Sequence, residues 1–163
     1  MTIINLRFTF VWAFLILCFG NTSLQCQPTA TRTSQASVLA TWKGESICAG
    51  NRPACKNEVV VYRFEAVAGK PDMVLQLADK IINDNHVPMG KMEFRYDEGK
   101  RELSCEFTRG QTHGLWQFKV TRESMEGTLV LLPDRELVRR VNVKKVRENE
   151  VPMPPARESY DGL

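Results

Sequence analysis

Ser37 to Phe64 reads Ser-Val-Leu-Ala-Thr-Trp-Lys-Gly-Glu-Ser-Ile-Cys, a short loop, and then Ala-Cys-Lys-Asn-Glu-Val-Val-Val-Tyr-Arg-Phe. Trp42, Gly44, Ser46 and Cys48 fall at every second position, and so do Val60, Tyr62 and Phe64. A period of two places such residues on one face of a strand. The segment therefore predicts two strands joined by a loop that Cys48 and Cys55 clip. The spacing is within the reach of a disulfide between paired strands. It is not the Cys-x-x-Cys spacing of a redox pair.

The chain beyond Phe64 continues in the same way. No window holds an apolar period of 3.6 for three turns. A third strand is predicted over about Met73 to Ile82, with Leu75, Leu77, Asp79 and Ile81 sharing a face. Met92, Phe94 and Tyr96 share a face of the fourth, before a tight turn at Asp97 to Lys100. Leu103, Cys105 and Phe107 alternate in the fifth, and Trp116, Phe118 and Val120 in the sixth. A seventh runs from about Met125 to Leu132 and an eighth from about Glu136 to Val146. Eight strands with hairpin-length links, each with one apolar face, need a shared interior. The prediction is all-β, a single up-and-down antiparallel barrel, because closure removes exposed edges. An open β-sandwich is the competing arrangement.

The two ends are different in kind. Arg7 precedes a predominantly apolar run from Phe8 to Gly20. Its length, about 13 residues, is short of the ~20 that span a bilayer. A basic start, an apolar stretch and a polar exit predict a signal peptide over residues 1–26, with a secreted or periplasmic mature protein. A membrane anchor and a lipid-modified Cys26 are the weaker alternatives; Gln25 is too large for the lipidation signal. Residues 27–37 are Thr, Ser, Gln, Pro and Ala with one Arg, a predicted linker before the domain at 38–146. Residues 147–163 carry three prolines and no periodicity, which predicts a disordered or loosely attached tail.

The 163 residues carry a net charge of +3, and the basic residues form no stripe interleaved with aromatics, so nothing points to nucleic acid. His86 and His113 fall in predicted turns without metal-ligand spacing, and no cofactor motif is read. Cys105, left over from the disulfide, lies between Leu103 and Phe107 and is expected to be an inert buried thiol. As a nucleophile it would need a nearby His. Arg139, Arg140, Lys144 and Lys145 read as the solvated face of the last strand.

Trp42-Lys43-Gly44 on the first strand and Arg139-Arg140 on the last resemble the calycins, the group of lipocalins, fatty-acid-binding proteins and avidin-like barrels. The Gly follows the Trp here, whereas lipocalins place it before. The resemblance implies that Trp42 closes one barrel end and that Arg139 packs across its indole. It also implies a small apolar or amphipathic ligand inside the barrel. The inward set would be Trp42, Tyr62, Phe64, Leu77, Asp79, Met92, Phe94, Tyr96, Phe107, Trp116, Phe118 and Arg139. An inward Asp79 would be partnered by Arg63 or Arg139, since a buried carboxylate needs one; a slip in register would instead leave it in solvent near a strand end. The other reading is a solid barrel that engages a protein partner through loops and tails, perhaps as an inhibitor; an enzyme using Asp79, Arg139 or Cys105 ranks third.

Overall fold

The period-two pattern is realised as eight consecutive antiparallel strands. A computed structural model describes residues 35–161 apart from residue 51. The strands are β1 (Thr41–Cys48), β2 (Glu58–Val67), β3 (Lys70–Ile82), β4 (Asn85–Asp97), β5 (Glu102–Arg109), β6 (Thr112–Val120), β7 (Ser124–Leu131) and β8 (Glu136–Val146). Each pairs with its neighbour in sequence, and β1 pairs with β8, so the sheet closes into an up-and-down barrel. The expected signal peptide and most of the expected linker lie outside the described residues.

Tight links follow from local chemistry. Asn83 and Asp84 both take positive φ (50° and 59°) between β3 and β4, a conformation short polar side chains tolerate. The β1–β8 seam needs a glycine. A Cβ on Gly44 would lie 2.1 Å from the Asn142 carbonyl oxygen, so only hydrogen lets the two backbones approach.

One barrel end is plugged. Gln35–Ser37 form a 3₁₀ turn, and Val38 behind it is fully buried. The Trp42 indole donates to the Val38 carbonyl at 3.0 Å, and the Ser37 and Tyr96 hydroxyls are 3.2 Å apart. The last residues of the expected linker are thus part of the cap. Below it, Phe94 sits edge-on to Phe64 and Phe118, with centroids 6.1 and 5.6 Å away. These aromatics fill the capped half.

Three sequence expectations fail in this half and on the outer wall. First, β3 is inverted. Tyr62 pairs with Ala78 and Phe64 with Gln76, so Val74, Gln76 and Ala78 face inward. Leu77 and Asp79 pair with Arg63 and Val61 and lie outside, yet are only 3% and 0% exposed. Second, the tail is not loose. Arg157–Tyr160 form a 3₁₀ turn against the outer wall, and Tyr160 is 1% exposed. That packing bears on the inversion: β3 is apolar on both faces, and Tyr160 meets Asp79 on the outer one, the face that also carries the leucines. Third, Arg139 does not stack on Trp42. It pairs with Cys48 at the far end of β1, whereas Trp42 pairs with Lys145. The Lys145 ammonium lies over the indole, 5.6 Å from its centroid. Of the expected solvated basic face, only Arg140 and Lys144 are outward and exposed.

Candidate functional site: an open seam and its outer strap

The seam between β4 and β5 is short. Only Arg95 to Asp97 pair with Glu102 to Ser104, although β4 runs back to Asn85 and β5 on to Arg109. Beyond Ser104 the two strands diverge. A bulge between Ala78 and Asp79 shifts the β3–β4 register, and β4 carries Pro88 and Gly90 there, the latter at φ 131°. Proline cannot donate to a ladder and bulges bend strands, so this sequence suits an edge that leaves its neighbour.

The divergence opens a cavity of about 490 Å³ into the barrel. Tyr62, Met92, Phe107, Trp116 and Phe118 line it, all five expected inward. Trp116 stacks on Phe118 at 5.5 Å with an interplanar angle of 12°. Met89, Ala78 and the buried amide-bearing Gln76 complete the wall, and Lys91 and Arg109 stand at its margin. None of these last five was singled out from sequence. Gln76 alternates with Val74 and Ala78, a pattern outweighed by the leucines beside it. A depression of about 570 Å³ elsewhere is lined chiefly by outward polar groups such as Gln117, Glu126, Arg140 and Asn142.

The remaining expected residues go elsewhere. Trp42, Phe64, Phe94 and Tyr96 belong to the packed, capped half. Arg139 reaches the interior at the opposite end, where it donates to the Ser46 hydroxyl at 2.9 Å and lies 3.2 Å from Glu58. Burial pushes the neighbouring Tyr62 phenol far up, against the opposing charge of Arg139. Cys48 and Cys55 are bridged nearby, with Cα atoms 6.0 Å apart. Cys105 is free, partly buried and packed against the core, and desolvation pushes its thiol up, away from nucleophilic character.

Asp79 and Leu77 leave the interior set altogether. Asp79 sits outside β3 at the centre of a buried polar cluster. The Tyr160 hydroxyl donates to it at 2.5 Å, His86 Nδ1 at 2.8 Å, and Arg63 Nη1 lies 3.1 Å away. Arg63 also donates to the Tyr160 oxygen and lies 5.6 Å above its ring. A fully desolvated carboxylate is tolerable only with several donors of this sort. Arg63 is one of the two partners expected. His86 and His113 both begin strands rather than lie in turns, and His113 pairs with Glu106 at 2.6 Å on the surface.

Among the described residues no group of three or more His, Cys, Asp or Glu is placed to hold a metal, and no helix is long and apolar enough to cross a membrane. No protein-family model matches the chain, and no curated protein is significantly similar to it. A solved structure of a redesigned β-barrel is similar in fold, with a TM-score of 0.50 and 13% identity, covering 72% of this chain and 100% of that chain. That likeness concerns the fold alone: this chain forms an eight-stranded antiparallel β-barrel.

Proposed function

We propose that this is an exported, calycin-like carrier that binds one small apolar or amphipathic molecule in the open half of its barrel, entering between β4 and β5. The observation that carries the reading is the cavity of about 490 Å³ behind an unpaired seam, walled by Met89, Met92, Phe107, Trp116 and Phe118. Its size and its mostly apolar lining with few polar groups suit a small-molecule site. Gln76 and the Tyr62 hydroxyl offer orientation inside, and Lys91 and Arg109 would favour an anionic end at the margin. Export is supported by the leader-like N-terminus and by a disulfide, which persists in oxidising compartments.

The test uses a neutral fluorescent apolar probe, N-phenyl-1-naphthylamine. It should bind near one per protein and quench Trp116 emission. Ala78→Trp, which fills the cavity from the inner face of β3, should abolish binding with the β-sheet circular dichroism unchanged. Val59→Trp, on the exposed outer face of β2, should leave binding intact. No saturable binding, or equal binding to both variants, rejects the reading.

One observation favours a second reading, an interaction protein. The facing edges of β4 and β5 beyond Arg95 and Ser104 do not pair with each other. Such edges can accept a strand from a partner. A peptide that blocks the probe and adds sheet signal would support it.

A further inference from the structure

We propose that the segment around Arg157–Tyr160 is a strap that governs exchange through the β4–β5 seam. The inference rests on the reading of that seam as the ligand's entrance. Over residues 85–94, β4 is hydrogen-bonded as a strand on one side only, to β3, and that ladder is broken by the bulge between Ala78 and Asp79. Gly90, at φ 131°, lies opposite Ala78 beside the break. This half of β4 is the movable wall of the cavity.

The strap ties that wall to its better-held neighbours. Tyr160 joins Asp79 of β3 and Arg63 of β2, and His86 of β4 donates to the same carboxylate. Arg157 pairs with Glu65 of β2 at 3.1 Å. Asp161 pairs with Lys91, which itself lines the cavity. Three strands are thereby fastened from outside, and one tether ends on a residue of the entrance. With the strap seated, the β4 edge is held and exchange is slow. With the strap released, only the interrupted β3 ladder holds the edge.

The experiment uses the full chain with Tyr160→Ala and, separately, Asp161→Lys, an exposed change that cannot unfold the barrel. Stopped-flow fluorescence with N-phenyl-1-naphthylamine should show association and dissociation both faster, by about tenfold for Tyr160→Ala, which loses a buried charge-assisted contact, and by about two- to fivefold for Asp161→Lys, which loses an exposed ion pair. Amide hydrogen exchange over residues 86–93 should accelerate, while that of β1 stays as in the wild type. A wild type that binds the probe, with both variants unchanged in rates and exchange, overturns the strap alone. A wild type that shows no saturable binding overturns the carrier reading, and the gate with it.

Discussion

The Trp42 indole is fully buried, its N–H is satisfied by Val38, and the Lys145 ammonium faces its ring. A cation over an indole contributes ~0.5–1 kcal/mol at a partly exposed site. Trp42→Ala should cost ~3–5 kcal/mol as a large core truncation. In urea unfolding, a double-mutant cycle of Trp42→Ala with Lys145→Ala should show coupling of about 0.5 kcal/mol or more, while the cycle with Arg139→Ala should be additive, as separated sites are. The reverse result would move the contact back to Arg139. Parity correctly told from sequence that Arg139 points in, but not how far along the barrel. Register fixes that, and Cys48 opposite Arg139 places it at the open end. The Tyr62, Phe107, Trp116 and Phe118 side chains were legible because each strand has one plainly apolar face. Gln76 was not, since a buried amide in a thin Val-Gln-Ala face looks like a solvated position.

The C-terminal strap is an element that no periodicity announces. Its anchor is one phenol, and its energetics are electrostatic as much as apolar. Burial, the hydrogen bond to Asp79 and that carboxylate's charge push the Tyr160 phenol up to about 12, from an ordinary 10.0. The folded state therefore keeps a proton that the unfolded chain loses first. The stabilisation is complete below pH 10.0 and is lost as pH rises through about 12. Tyr160→Phe lacks that proton. It should be less stable than wild type by about 1.5–3 kcal/mol at pH 7, the range for a hydrogen bond to a charged group. The gap should be flat with pH through neutrality and shrink across the alkaline window. Urea midpoints at a series of pH values measure it, and a gap that stays constant to the top of the window would remove the phenol–carboxylate contact from the account. The same element helps explain why β3 misleads: Leu77 is buried on the outer face, between Arg63 and Lys91, both of which the tail contacts, and a strand apolar on both faces carries no single parity.

At the scale of the molecule, the barrel was legible because eight strands of similar pattern and short links admit few closures. The open seam was not, because strand length and strand pairing are separate properties: β4 is 13 residues long and pairs with β5 over three. Closure instead depends on the other joint of the sheet, between β1 and β8, where eight residue pairs bring the first and last strands together. Gly44 is the tightest point of that joint. A methyl group there would meet the Asn142 carbonyl at 2.1 Å and the Val143 Cα at 2.8 Å, and both are backbone atoms that cannot rotate aside. Gly69 offers the contrast, since its φ of +74° strains any side chain but nothing lies within 4 Å of a Cβ. Gly69→Ala should therefore cost only the left-handed conformation, about 1–2 kcal/mol. Gly44→Ala must push two strands apart, and should cost at least the ~1–3 kcal/mol of an overpacked core. Its signature would be spatial as well as energetic: amide exchange should accelerate along both β1 and β8, including the pairs remote from Gly44, because the seam parts as a unit. Exchange that rises only at Gly44 and Asn142 would mean that the barrel absorbs the methyl locally. The β1–β8 joint would then not be what keeps it closed.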